Sequence, residues 1–313
     1  MQRSVSGSLG RRLENAPIVT LIGNTPLVPL NAEAWDLEDV TVRAKAEWFN
    51  PGGSVKDRPA LWMIRAALAE GAYREGMTLL DATSGNMGIA LAMLGAALDI
   101  PTKLVLPSNV SRTRQNILRS FGATLVLSDP LAGTDGAQRV ARRIYDEDPE
   151  TYLYVDQYNT PANRTAHYES TGPEILDQTG GQVSHFVAGV GTAGTLMGAG
   201  GRLKEADASI RIVGFQPAEP LHGIEGLKHM ETSLRPGIFD PSIQDEALFV
   251  KTEEAQRVAR LLAEREGLLV GTSSGAALAA ALRVAKDLQE GTIVTVFPDA
   301  GERYLDERYW EEG

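Results

Sequence analysis

The sequence predicts an α/β protein of two domains, each an open and mostly parallel sheet flanked by helices. Three observations lead there. The 313 residues allow two cores at roughly 150 residues per domain. Short apolar runs of strand character alternate with amphipathic stretches of helical period along most of the chain. Clusters of Gly, Ser and Thr recur where one kind of segment gives way to the other.

Taken in order, residues 1–15 read as a polar, poorly ordered extension. Val40–Ala46 alternates apolar and polar residues, as a half-buried strand does. Ser54–Glu70 sets Leu61, Ile64 and Leu68 on one helical face and is closed by Gly71. Strand-like runs follow at Thr78–Ala82, Lys103–Leu106, Leu125–Leu127, Tyr152–Asp156, His185–Ala188, Ile210–Phe215 and Ile293–Phe297. Between them, Ala137, Val140, Ala141 and Ile144 mark one helix, and Val258, Leu261 and Leu262 mark another that ends at Gly267. The turn Asn159-Thr160-Pro161 sets a boundary near residue 160, giving domains 1–160 and 161–313.

Composition narrows the chemistry. With no cysteine there is no thiolate nucleophile, disulfide, iron–sulfur cluster or Cys-ligated zinc. The four histidines lack metal-ligand spacing, so no metal is expected. Thirty Lys and Arg against 41 Asp and Glu leave a net charge of −11, which repels nucleic acid and anionic membranes. The uncharged stretches Phe186–Gly201 and Leu268–Leu282 are shorter than the ~18 apolar residues of a membrane helix. The opening MQRSVSGSLGRR has no apolar core after its charges, so a cytoplasmic protein is expected.

Three corners stand out: Thr83-Ser84-Gly85-Asn86-Met87-Gly88, Gly191-Thr192-Ala193-Gly194-Thr195 and Gly271-Thr272-Ser273-Ser274-Gly275. Each reads as a strand running into a helix start, where unpaired N–H groups and small residues admit an anion. Three together point to a ligand with several anionic groups. The second corner also satisfies G-x-G-x-x-G through Gly189, Gly191 and Gly194, with Glu219 placed as a ribose-binding acid would be. A dinucleotide-binding enzyme is therefore open at this point. The stretch Asn50-Pro51-Gly52-Gly53-Ser54-Val55-Lys56-Asp57-Arg58 brings one lysine to a helix start, either through a Ser54/Asp57 capping box or with the helix beginning at Asp57. The dipole there disfavours an ammonium, and a neutral amine is what Schiff-base chemistry requires.

Asn50–Arg58 resembles the cofactor-lysine segment of the cysteine synthase and cystathionine β-synthase family, fold-type II pyridoxal-phosphate enzymes. The likeness runs from Ile22-Gly23-Asn24-Thr25-Pro26-Leu27 to Gly301-Glu302-Arg303-Tyr304-Leu305 and takes in all three corners in order. Asp156-Gln157-Tyr158-Asn159, His167-Tyr168 and Thr171-Gly172-Pro173-Glu174-Ile175 look most like the B-type cysteine synthases. The resemblance implies an active site in the interdomain cleft, with residues 28–49 crossing over to the other domain. It implies that Lys56 forms an aldimine with pyridoxal 5'-phosphate and later acts as base at Cα. Asn86 would meet the phenolic oxygen, Gly191, Thr192, Ala193, Gly194 and Thr195 the phosphate, and Ser273 the pyridine nitrogen. Thr83, Ser84, Asn86 and Gln157 would hold the substrate carboxylate. The dinucleotide reading leaves Lys56 and the other two corners without a role.

Two departures from the family pattern bear on these roles. Met87 replaces the usual Thr beside the carboxylate site, and Ala193 replaces a common Gly, which is tolerable if its φ is negative. The family reaction makes L-cysteine from O-acetylserine or O-phosphoserine and sulfide through an aminoacrylate; the family alternative is cystathionine formation from serine and homocysteine. A catalytically silent binding protein on the same fold is a further alternative. Lys228, with His229, falls where B-type relatives that use O-phosphoserine carry a cation. A homodimer is the family expectation.

Overall fold

A computed structural model describes residues 8–83 and 85–311. In chain order the strands are β1 (Leu27–Pro29), β2 (Val40–Ala46), β3 (Thr78–Ala82), β4 (Thr102–Pro107), β5 (Thr124–Ser128), β6 (Tyr152–Tyr154), β7 (His185–Gly189), β8 (Arg211–Pro217), β9 (Glu246–Val250) and β10 (Gly291–Phe297). The helices are α1 (Ser8–Asn15), α2 (Pro17–Thr20), α3 (Asp57–Ala69), α4 (Asn86–Leu98), α5 (Arg112–Ser120), α6 (Gly133–Glu147), α7 (Pro161–Ala166), α8 (Gly172–Thr179), α9 (Gly194–Ala206), α10 (Thr252–Glu266) and α11 (Thr272–Lys286). A single π-helical turn, His167–Thr171, joins α7 to α8. No helix of the described residues is long and apolar enough to cross a membrane.

The chain divides into two compact units. The first takes the described residues up to Ile22 and Lys56–Asn163. Its sheet runs β5-β4-β3-β6, all parallel. The period of two sends Leu79, Leu104 and Leu106 to the face covered by α3 and α4, and Leu80, Ala82 and Val105 to the face covered by α6. Helix α4 is apolar nearly all round and is accordingly buried, with Ile89, Ala90, Leu91, Leu94 and Leu98 in the core. Residues 8–15 correct the expectation of a disordered extension: Leu9 and Leu13, one turn apart, are buried in this core, and Arg12 pairs with Glu75 at 2.8 Å. Two leucines among charges are a thin sequence signal for a docked helix.

The second unit takes Gly23–Val55 and the described residues from Arg164. Its sheet runs β1-β2-β10-β7-β8-β9, parallel except for the antiparallel edge strand β1. Val187, Val213, Phe215, Ile293 and Phe297 face α10 and α11, while Phe186, Ile212, Val294 and Val296 pack with α9. A buried polar network fixes the 23–55 segment within this unit. The Lys45 ammonium, fully buried, pairs with Glu174 Oε2 at 2.6 Å and donates to the Thr25 carbonyl. Glu174 Oε1 accepts from the Asn24 N–H at 3.0 Å. Glu47 accepts from the Thr25 hydroxyl at 2.7 Å and from Asn50 Nδ2 at 2.8 Å, and Asn50 Oδ1 accepts from the Gly23 N–H at 2.9 Å. Each charge of this network is thus paired or hydrogen-bonded, as burial demands.

Candidate active site

In the first unit the helix begins at Asp57, so of the two registers open in the sequence the later one holds. Lys56 is the N-cap, its carbonyl accepting the first intrahelical bond from Ala60 at 3.0 Å. Its side chain, partly buried, therefore starts at the positive end of the α3 dipole. Pro59 sits in the first turn, where a missing N–H costs nothing. Ser54 has another use than capping: it forms an isolated bridge with Asp299 in the second unit.

The first corner follows β3 and opens α4. The Thr83 hydroxyl accepts from the N–H groups of Gly85 at 3.2 Å and Gly88 at 3.1 Å, so it caps the corner from inside. A Cβ at Gly88 would lie 2.6 Å from the Thr83 methyl, which makes glycine the residue this turn accepts. The N–H groups of Asn86 and Met87 occupy the first turn, where the helix supplies no acceptor. The Met87 side chain is buried in the apolar core, leaving its backbone to the corner. Ser84 lies outside the described residues. Gln157 comes in from beyond β6: its Nε2 donates to Asp81 Oδ2 at 3.2 Å and to the Ala82 carbonyl at 3.0 Å, and Asn163 donates to its carbonyl at 2.6 Å. Thr83, Asn86 and Gln157 thus share the carboxyl edge of one parallel sheet, where ligands of open α/β folds bind.

In the second unit, β7 runs through Val190 and Gly191 into α9. Thr192 Oγ1 accepts from the Gly194 N–H at 3.4 Å, and the first intrahelical bond runs from Met197 to the Ala193 carbonyl at 2.9 Å. The first turn carries no acidic residue. Backbone N–H groups and the Thr192 and Thr195 hydroxyls make an all-donor helix start, suited to a phosphate. Ala193 does not meet the condition of a negative φ: it is left-handed at φ 71°, with its methyl buried in the core. The turn from strand to helix imposes that conformation, which costs a non-glycine residue roughly 1–2 kcal/mol.

Around this corner the structure adds a residue that sequence reasoning missed. His167, buried in the π-turn, meets Thr195 Oγ1 with Nε2 at 3.3 Å and Thr171 Oγ1 with Nδ1 at 2.9 Å. The close approach is set by Gly198, where a Cβ would stand 2.7 Å from His167 Cβ and 2.9 Å from the Tyr168 nitrogen. Nothing in the local pattern marks such a histidine; only the H-Y-x-x-T-G run around it is distinctive. Lys228 and His229 are 8% and 7% exposed, so the pair is not a solvated one. The Lys228 N–H donates to the Val190 carbonyl at 2.9 Å, bringing its segment onto the phosphate corner. Burial, then His229, lowers the pKa of His222 on the same segment, opposed by the Ile224 N–H that its ring accepts.

The third corner is corrected in one respect. It follows no sheet strand; Val270 makes only an isolated bridge with Ala300 before α11 starts. Ser273, 7% exposed, stands in the first turn, which has no acidic residue. Among the described residues no group of three His, Asp or Glu side chains could hold a metal ion. A helix-start amine, an all-donor phosphate corner and a neutral hydroxyl at a third helix start fit the aldehyde, phosphate and ring nitrogen of pyridoxal phosphate.

The family model described as pyridoxal-phosphate dependent enzyme matches residues 18–299. The chain belongs to this family of pyridoxal-phosphate dependent enzymes. The cysteine synthase of Aquifex aeolicus (strain VF5) is 55% identical over 92% of this chain and 90% of its own length. Cysteine synthase B of Escherichia coli (strain K12) is 44% identical over 91% and 92%. Among solved structures, a cysteine synthase from Entamoeba histolytica superposes with a TM-score of 0.90 at 34% identity, covering 99% of this chain and 94% of that one. The chain is accordingly an enzyme of the cysteine synthase type, with pyridoxal 5'-phosphate as cofactor. Cystathionine formation is not favoured: an O-acetylserine-dependent cystathionine β-synthase from Helicobacter pylori also superposes, at 33% identity, below the curated cysteine synthases.

Proposed function

We propose that the enzyme makes L-cysteine by β-replacement on an activated serine, O-acetylserine or O-phosphoserine, with sulfide. The observation that carries the reading is Lys56 at the positive end of α3, in a chain of this family. When bound, the cofactor supplies an electron sink for the carbanion character that develops at Cα. Lys56 carries its covalent attachment and moves the proton at Cα. The leaving group departs from Cβ with its bonding pair, and the sulfur of sulfide brings the pair that forms the new bond. Gly191, Thr192, Ala193, Gly194 and Thr195 hold the cofactor phosphate, Asn86 its phenolic oxygen, and Ser273 faces the ring nitrogen. A neutral serine there does not favour a protonated ring, which suits prompt loss of a β-substituent. Thr83, Ser84, Asn86 and Gln157 bind the substrate carboxylate.

Lys228, with His229, is assigned to the phosphate of O-phosphoserine; its burial next to the Val190 carbonyl supports this. The enzyme works as a homodimer in the cytoplasm, the expectation the family carries. Borohydride reduction followed by peptide mapping tests the core of the reading. The cofactor is expected on Lys56 and is lost from it in Lys56→Ala; attachment elsewhere, or none, refutes it. Lys228→Ala is expected to lower kcat/KM for O-phosphoserine about tenfold or more, the worth of one charge-assisted hydrogen bond. Equal losses with O-acetylserine would remove Lys228 from substrate choice.

A further inference from the structure

The phosphate corner of the second unit is backed by a side chain that the reaction above does not use. His167, 2% exposed, lies in the π-turn with a threonine hydroxyl at each ring nitrogen. Nε2 stands 3.3 Å from Thr195 Oγ1 and Nδ1 2.9 Å from Thr171 Oγ1. The two ends of this chain differ. Thr171 is fully buried, whereas Thr195 is partly buried in the first turn of α9, where the helix supplies no acceptor for its N–H groups.

A threonine hydroxyl has one hydrogen to give and a neutral imidazole has one N–H, so counting donors sets the direction of the chain. Among the described residues the ring is the one hydrogen-bond partner of the Thr171 hydroxyl. The His167 carbonyl, where a threonine four residues on can place its O–H in a helix, takes the Gly172 N–H across the widened turn. With the proton on Nδ1, Thr171 would accept from the ring, and its own O–H would be buried without an acceptor. A doubly protonated ring would strand the same hydrogen and bury a charge as well. Neither fault arises when Thr171 donates to Nδ1 and the Nε2–H donates to Thr195 Oγ1. The Thr195 hydroxyl then keeps its own hydrogen for the corner. In the opposite tautomer that hydrogen is spent on Nε2, and a phosphate would meet lone pairs there.

We propose that His167 is a positioning residue for the cofactor phosphate: held as its Nε2–H tautomer by Thr171, it donates to Thr195 Oγ1 and so turns the Thr195 hydroxyl hydrogen toward the phosphate. No proton is transferred and no covalent bond changes. The proposal rests on the reading of Thr195 as a phosphate ligand.

Two measurements test it. In holoenzyme isotope-labelled on its histidine nitrogens, a long-range proton–nitrogen NMR spectrum shows which ring nitrogen bears the proton. The His167 signals, identified by their loss in His167→Gln, are expected to report Nε2–H; Nδ1–H or a doubly protonated ring overturns the proposal. In the second, the full chain freed of cofactor is titrated with pyridoxal phosphate and with 5'-deoxypyridoxal, which lacks the phosphate. His167→Asn, whose amide takes the Nδ1 place and falls short of Thr195, is expected to weaken pyridoxal phosphate about tenfold, one hydrogen bond to a charged group, with 5'-deoxypyridoxal unchanged. His167→Gln, whose amide donates from the Nε2 place, stays close to wild type. Thr195→Val weakens pyridoxal phosphate at least as much as His167→Asn, and the two together are no worse than Thr195→Val alone. The proposal is overturned if His167→Gln is as damaging as His167→Asn, if 5'-deoxypyridoxal weakens in parallel, or if His167→Asn still acts in the Thr195→Val background. Full cofactor affinity in Thr195→Val overturns the phosphate-ligand reading of Thr195, and this proposal with it. Should His167→Asn fail to fold, the wild-type tautomer and Thr195→Val still decide the matter.

Discussion

Replacing Lys45 by methionine removes a charge from the buried network that fixes the 23–55 segment, while keeping most of the side chain's volume. Lys45 is fully buried and pairs with Glu174 Oε2 at 2.6 Å. Deleting one member of such a pair costs about 3–5 kcal/mol, because the other charge is left buried and uncompensated. Two observations place this case at the lower end. The Glu174 side chain is 13% exposed and keeps the Asn24 N–H at 3.0 Å. The Thr25 carbonyl keeps Gln178 Nε2 at 2.9 Å. A loss of about 3 kcal/mol lowers Tm by roughly 6–12 °C at 2–4 °C per kcal/mol. Differential scanning fluorimetry at saturating pyridoxal phosphate measures it with cofactor linkage held fixed. The double variant Lys45→Met/Glu174→Leu removes both charges and should recover to within about 1 kcal/mol of wild type, since an ion pair in an apolar setting contributes little net stability. A single variant that melts within about 2 °C of wild type, or a double variant no better than the single, would refute this account of the network.

Gly198→Ala should press α9 off the π-turn, cost about 1–3 kcal/mol, and weaken cofactor binding; apo-protein titrated with pyridoxal phosphate by fluorescence measures the second effect. Gly191→Ala is expected to be about as costly, because the new methyl would stand 2.0 Å from the Gly226 carbonyl oxygen, as one at Gly198 would stand 2.2 Å from that of Arg164. Burial raises the pKa of Asp81, which gives a pH dependence of definite sign. The folded state holds that proton more tightly than the unfolded chain, so its contribution is complete below the unfolded pKa of about 4 and is lost as pH rises through the folded value. Asp81→Asn escapes the loss: melting curves should coincide with wild type in acid and favour the variant increasingly toward alkaline pH. The reverse trend would mean that Asp81 is held ionised.

Much of this was legible because it is local. Thr78–Ala82 followed by Gly, Asn and Gly announces a strand, a turn and a helix start, and the fold forms them there. The beginning of α3 was readable as two registers, and choosing between them took the bridge that draws Ser54 to Asp299, a contact between residues far apart in sequence. The conformation of Ala193 could not be read for a related reason. The sign of its φ is set by the path from β7 into α9, and a buried methyl tolerates a conformation that propensity disfavours. A lone acid inside T-L-L-D-A was a visible anomaly in a central strand, yet its partner, Gln157, is known only once β3 and β6 lie side by side. His167 carried no signal of that kind, since its two hydrogen bonds depend on α9 crossing the π-turn at Gly198.

The pairing of β2 with β10 also orders events in time. Val40 lies opposite Gly291 and Ala46 opposite Phe297, so the 23–55 segment finds its long neighbour only after every other strand has been synthesised. The first unit, complete in sequence at Asn163, can close while the ribosome is still making the second. Until then β2 offers an open edge to any passing chain, and contacts so distant in sequence form slowly. Dependence of soluble yield on chaperones should therefore track this one strand pair, and substitutions along β10 should depress yield in the cell more than they depress the melting temperature of the folded protein.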